Sequence, residues 1–194
     1  METKATTETA RQRLQRQDCA LLVIDIQEKL LPPIHERERL VRNAQLLLRV
    51  AKILELPTIA TTQYARGLGG VVPEIASLLP STAASDKLEF SCFSNHGFSG
   101  AIKERAKNRN TLLLCGMETH ICVMQTALGA LEAGYLVHIA ADAVGSRSEF
   151  NWKIGLERMR EAGALISSTE TIIYELLGGS GTPEFKQMLP HLKQ

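Results

Sequence analysis

Three residues far apart in the chain share one kind of chemistry: the carboxylate Asp25, the amine Lys87 and the thiol Cys122. A thiol attacks as its thiolate, so it needs an acceptor for its proton. A carboxylate can take that proton. An ammonium group between them would steady both the thiolate and an oxyanion. Cys122 closes the stretch Gly116-Met-Glu-Thr-His-Ile-Cys122, where a tight glycine-containing loop opens into a helical run. A helix N-terminus offers free N–H groups and the positive end of the dipole. It is therefore expected to lower the thiol pKa, and the N–H groups of Cys122 and its loop could hold an oxyanion. Each residue also has a plainer reading. Buried cysteines usually pack as small apolar side chains, a strand-end Asp is often a turn former or cap, and a lone lysine is usually solvated. Cys19 and Cys115, inside apolar strands, read as core, and Cys92 stays open between core and pocket wall.

Other chemistries lack their residues. Gly67-Leu-Gly-Gly70 has no following Lys-Ser/Thr, so it is not a P-loop, and Gly116-Met-Glu-Thr-His is not a dinucleotide fingerprint. The five histidines (His35, His96, His120, His138, His191) form no pair at metal-ligand spacing, so no metal or other cofactor is expected. His138 lies in a strand and reads as packed or surface. His120 adjoins Cys122 and is read as facing solvent. The four cysteines make no CxxC and no disulfide scaffold at this length, which points to a reducing cytoplasm.

The elements that must position these groups follow from the apolar pattern. Cys19-Ala-Leu-Leu-Val-Ile24 is continuously apolar, as a parallel strand covered on both faces is. Helical spacing over 36–54 is followed by Pro57 and a second strand at 58–62. A glycine loop and a short helix or irregular stretch (72–79) precede a weak third strand at 83–86. Helix 98–107, strand 111–115, helix 120–133 with Gly134 as its C′ residue, strand 135–141, helix 152–162, strand 164–167 and helix 169–177 complete the order. Thr169 is the expected N-cap of the last. Strands alternating with helices give an α/β protein, a parallel sheet with helices on both faces. Function in such sheets sits beyond the carboxyl ends of the strands. That edge collects Asp25, Gln63, Lys87, the Cys122 loop and Asp142-Ala-Val-Gly-Ser-Arg147. Phe93, Tyr64, Phe150 and Trp152 are candidates to line a substrate site, with core packing the alternative for each.

The 194 residues carry 22 Lys and Arg against 21 Asp and Glu, a formal net charge of +1. That length fits one domain over 1–194, with an N-terminal tail and short helix at 1–17 and a C-terminal tail at 178–194. The balance leaves no basic excess for nucleic acid and no reason to expect a membrane partner. The apolar runs are far short of the ~20 residues that span a bilayer. The first residues lack the apolar centre of a secretory signal. Arg11, Arg13 and Arg16 suggest a transit peptide, but Glu2, Glu8 and the absence of Ser argue against one.

The segment Leu112-Leu-Leu-Cys-Gly-Met-Glu-Thr-His-Ile-Cys-Val-Met-Gln-Thr-Ala127, with Leu21-Leu-Val-Ile-Asp-Ile-Gln27 and Asp86-Lys-Leu-Glu-Phe-Ser91, resembles the isochorismatase-like cysteine hydrolases. The resemblance runs from about residue 19 to 177. It implies a three-layer, Rossmann-like fold whose six parallel strands stand in the order 3-2-1-4-5-6. It also implies Asp25 as general base, Lys87 as the second triad member and Cys122 as nucleophile. A non-proline cis peptide would join Met117 and Glu118, and the N–H groups of Glu118 and Cys122 would face the oxyanion. Gln63 and Phe93 would line the substrate site. Nicotinamidases of the family bind a metal through an Asp-x-His and a further His after the second strand, and the region following Thr62 has neither residue type. True isochorismatases cleave a vinyl ether without a cysteine nucleophile. The chain therefore resembles the metal-free branch. That resemblance implies a homo-oligomeric hydrolase that cleaves a small amide or related C–N bond through a thioester. A catalytically silent or redox-sensitive oligomer is the competing reading.

Overall fold

The computed structural model describes residues 13–80 and 84–193. The expected tail over 1–12 lies outside them. The six strands are β1 (Cys19–Ile24), β2 (Thr58–Gln63), β3 (Ser85–Lys87), β4 (Thr111–Met117), β5 (Leu136–Gly145) and β6 (Leu165–Ser167). They form one parallel sheet in the order β3-β2-β1-β4-β5-β6. This is the expected α/β architecture.

The period of two along each strand divides its side chains between two helical layers. Leu21 and Val23 of β1, with Leu113 and Cys115 of β4, face α1 (Arg37–Ile53). After one-turn helices α2 (Ala65–Leu68) and α3 (Pro73–Ala76), the chain crosses to the other layer. There Leu22, Ile24, Leu112 and Leu114 meet α4 (His96–Arg105), α5 (Met124–Glu132) and α6 (Glu149–Glu161). Helices α7 (Thr169–Leu177) and α8 (Pro183–Leu192) return to the α1 side. Six consecutive buried residues in β1 fit a strand covered on both faces.

Four details depart from the sequence reading. The segment 178–194 is not only a tail, because α8 lies against α1 with Met188 fully buried. Thr182 caps α8 by accepting from the Phe185 N–H, and Pro183 sits where a missing N–H costs nothing. Ser168, not Thr169, caps α7, accepting from the Thr171 N–H at 3.1 Å. Strand β5 runs four residues beyond 141. Asp142 therefore lies within it and does not open a loop, and its carboxylate accepts from the Thr169 N–H (2.7 Å) and hydroxyl (2.9 Å). The helix after β4 begins with a π-helical turn, Thr119–Val123, before α5.

Gly116 shows why β4 can end where it does. It lies at φ +122°, and a Cβ there would come 2.0 Å from the Ile24 carbonyl oxygen. Only glycine lets the loop before Cys122 pass this close to the end of β1.

Candidate active site

The carboxyl edge of the sheet brings three distant residues into one buried group. Asp25 follows β1 in the left-handed region (φ +53°), its N–H on the Thr61 carbonyl at 3.2 Å. Lys87 ends β3 level with Gln63, which ends β2. Cys122 is the fourth residue of the π-helical turn that follows β4. All three are buried, Asp25 completely and Cys122 least.

The Lys87 ammonium donates to Asp25 Oδ2 at 2.6 Å and to Gln63 Oε1 at 2.8 Å. The Gln63 amide nitrogen donates to the Leu88 carbonyl at 2.8 Å, so the side-chain oxygen is the atom left facing Lys87. The Cys122 sulfur makes a long contact of 3.9 Å with that same oxygen, and the Asp25 charge acts on its thiol. Gln63 thereby joins the group of Asp25, Lys87 and Cys122. Two supporting residues escaped the sequence reading. The Thr61 hydroxyl donates to Asp25 Oδ1 at 2.8 Å. Gln27, fully buried, donates to the carbonyls of Gln63 and Gly69 and accepts the Gln63 N–H at 2.7 Å. A signal was available in β2, which is buried yet carries Thr61, Thr62 and Gln63. Buried polar side chains are there to be hydrogen-bonded.

The electrostatics correct one expectation. Burial pushes the Cys122 thiol up to about 12, and the Asp25 charge pushes the same way, outweighing the opposite pull of Lys87. Both causes favour the thiol over the thiolate in the resting site. Burial alone would lower the Lys87 pKa, but the charge of Asp25 and the hydrogen bond to it hold it above its ordinary value. Proton transfer from Cys122 to Asp25 would leave the net charge of the group unchanged. The Lys87 ammonium would exchange a carboxylate partner for a thiolate.

Other candidates are placed elsewhere. Phe93 stacks edge-on against Phe98 (5.3 Å between ring centres) and leans on Tyr135. It sits over Gly129 of α5, two helical turns from Cys122. Trp152 donates to the Ala141 carbonyl at 3.0 Å beneath Arg39. Tyr64 and Phe150 are exposed. His120 does not face solvent freely, since its Nδ1 is 3.0 Å from Ser146 Oγ. The peptide Met117–Glu118 is cis. Among the described residues, no group of three His, Cys, Asp or Glu side chains is arranged to hold a metal. A hollow of about 690 Å³ lies at the opposite edge of the sheet, lined by Leu48, Lys52, Pro57, Thr58, Leu79 and Arg105. Its charged side chains, Lys52, Glu55, Glu104 and Arg105, are joined there by no cysteine, so chemistry and not size marks the site.

Comparison with known proteins matches the chain to one family. The isochorismatase domain profile matches residues 19–171. The secreted isochorismatase effector Isc1 of Phytophthora sojae is 36% identical over 185 residues, covering 94% of this chain and 88% of its own. Isochorismatase domain-containing protein 2 of Bos taurus is 36% identical over 179 residues, covering 90% and 82%. Among solved structures, one described as MAR1 ribonuclease from Caenorhabditis elegans superposes with a TM-score of 0.87 at 34% identity, covering 94% of this chain and 93% of that one. YcaC from Pseudomonas aeruginosa, solved with hexane-2,5-diol and covalent acrylamide, gives 0.86 at 28% identity, covering 93% and 92%. The Escherichia coli YcaC protein, described as an octameric hydrolase of unknown specificity, gives 0.84 at 29%, covering 93% of each chain.

Proposed function

This chain belongs to the isochorismatase family of hydrolases, and from that premise we propose that it cleaves a small amide or related C–N bond by covalent catalysis at Cys122. The observation that carries the reading is the buried Lys87–Asp25 pair, 2.6 Å apart, beside a thiol at the opening of a helix. Asp25 takes the Cys122 proton as sulfur attacks the carbonyl carbon. Lys87 balances the new thiolate, and the N–H groups of Glu118 and Cys122 receive the oxyanion. Asp25 then protonates the departing ammonia or amine, leaving a thioester that water hydrolyses. Dividing one hard displacement into two easier ones is the advantage of the covalent route. No metal enters this scheme. The Pseudomonas relative with covalent acrylamide supports a reactive nucleophile in the fold, since acrylamide adds readily to thiolates.

The test is a panel of amides, carbamoyl compounds, ureides and hydroxamates, with an RNA added because one structural relative is described as a ribonuclease. At least one small C–N substrate should turn over, Cys122→Ala should cut that turnover at least about 10³-fold, and an acyl group should appear on Cys122 by mass spectrometry. Full activity in Cys122→Ala would overturn the mechanism. Failure across the whole panel would favour the silent, redox-sensitive reading.

Assembly and compartment are proposals of the same kind. Leu88, Phe90, Phe150 and Ile154 leave apolar surface exposed, and the Escherichia coli relative is described as octameric. Light scattering at micromolar concentration should return a dimer or larger, and a monomer would contradict the proposed homo-oligomer. No helix among the described residues is long and apolar enough to cross a membrane. The proposed compartment is the reducing cytoplasm, supported by four free, buried thiols. The Phytophthora relative, by its name, is secreted.

A further inference from the structure

Glu118 carries a side-chain carboxylate that the mechanism above does not use, on the residue whose backbone N–H it does use. That carboxylate is only 11% exposed. Its Oε2 accepts two hydrogen bonds from one residue, the Arg147 backbone N–H and the Arg147 Nε–H, each at 3.0 Å. The register explains the meeting. Val144 and Gly145 of β5 pair with Gly116 and Met117 of β4, so residues 146–148 leave the sheet beside residues 118–120. A second tie lies next to the first, His120 Nδ1 with Ser146 Oγ at 3.0 Å, and Ser146 is itself 1% exposed. From the third side, Gly155 of α6 lies so close that a Cβ would come within 3.0 Å of backbone atoms of Thr119 and His120.

We propose that Glu118 and Arg147 are positioning residues, whose ion pair fixes the loop that presents the Glu118 N–H to the oxyanion and cancels a carboxylate that would otherwise repel it. The inference rests on the cysteine-hydrolase reading. Its electrostatic part follows from sign. An unpaired carboxylate near a developing negative charge opposes that charge, while an N–H dipole fixed in advance stabilises it. The Glu118 side chain, by contrast, has no part in forming the thiolate, which depends on Asp25 and Lys87.

Two probes separate these roles. p-Nitrophenyl acetate acylates a thiol through an oxyanion: the S–C bond forms, the C–O bond breaks, p-nitrophenolate departs and the thiol proton goes to Asp25. Methyl methanethiosulfonate transfers its methylthio group to the same sulfur: an S–S bond forms, the S–S bond to the sulfonyl group breaks, methanesulfinate departs, the thiol proton goes to Asp25, and no tetrahedral carbonyl oxyanion forms. Arg147→Met keeps the backbone N–H bond but removes the neutralising charge. It should slow the acylation burst about tenfold, short of the roughly 10²–10³-fold cost of losing an oxyanion donor outright. It should leave methylthiolation of Cys122 unchanged. Glu118→Gln keeps an acceptor for both donors and removes the charge. Adding Glu118→Gln to Arg147→Met should recover most of the lost rate, which a merely structural tie would not allow. Arg147 is 59% exposed at its side chain, so its substitution spares the core. Equal loss of both probe reactions in Arg147→Met, or no loss of acylation, would overturn the positioning role alone. A native protein that methylthiolates but never acylates would overturn the hydrolase reading, and this inference with it.

Discussion

Asp25→Asn is expected to reduce turnover about 10³-fold, within the usual range for a lost general base, while Cys122 alkylates at least as fast as in the native chain. The two effects diverge because Asp25 acts on the thiol in two ways. As a proton acceptor it is needed each time sulfur attacks a carbonyl, and an amide cannot accept that proton. As a fixed negative charge it opposes the thiolate, being the largest cause after burial that pushes the thiol up to about 12. Asparagine removes that charge and keeps an oxygen able to accept from the Thr61 hydroxyl, now 2.8 Å from Oδ1. The Lys87 ammonium, deprived of its carboxylate, then faces the sulfur as the nearest negative group. The thiolate fraction at fixed pH should rise. Turnover on a panel substrate and iodoacetamide labelling, measured side by side, check this. Labelling that falls in step with turnover would mean Asp25 serves chiefly to activate the sulfur. Turnover that survives would remove Asp25 from the proposed mechanism.

The same residues show how far a sequence can be read. The order of strands and the convergence of Asp25, Lys87 and Cys122 were legible, because strand ends and apolar runs are local signals and the surrounding motifs resemble a family. The protonation of Cys122 was not. The dipole of a helix N-terminus can be argued from position, but desolvation is a property of the folded surroundings, and it is the largest cause that raises the thiol. Arg147 was visible only as part of a loop, since its tie to Glu118 depends on β5 continuing to Gly145 in register with β4. The packing of Phe93 was not legible, because its partners Phe98 and Tyr135 are set by tertiary contact. Helix α8 was hidden behind Gly178-Gly-Ser-Gly181, which reads as the start of a tail although Thr182 and Pro183 begin a new helix.

Lys87→Met should cost the fold about 3–5 kcal/mol, the usual result of removing one partner from a buried ion pair. Asp25 is fully buried and would lose the ammonium 2.6 Å from its Oδ2. Thr61 alone would remain among its side-chain donors, too little to solvate a buried carboxylate. Adding Asp25→Asn should restore part of the loss, because a neutral amide beside an apolar side chain leaves no charge without a partner. If the double variant were as unstable as Lys87→Met, packing of the lysine stem would be the cause and the charge would not. The dependence on pH has a definite sign. Lys87 titrates above its ordinary 10.5 in the folded chain, so its contribution is complete below that value and fades as pH rises through the folded pKa. The buried thiols act in the same direction from a lower starting point. Cys19, Cys115 and Cys122 are pushed up to about 12 and Cys92 to about 11, against an ordinary 9.0. Above pH 9.0 the unfolded chain releases protons that the folded chain retains, so native stability falls as the solution becomes more alkaline. Lys87→Met keeps the thiols and loses the ammonium. Urea unfolding of both proteins should therefore show stability falling in each from pH 9.0 upward, and the gap between them narrowing above 10.5. A gap that stayed constant there would mean that the lysine stabilises the fold by shape and not by charge.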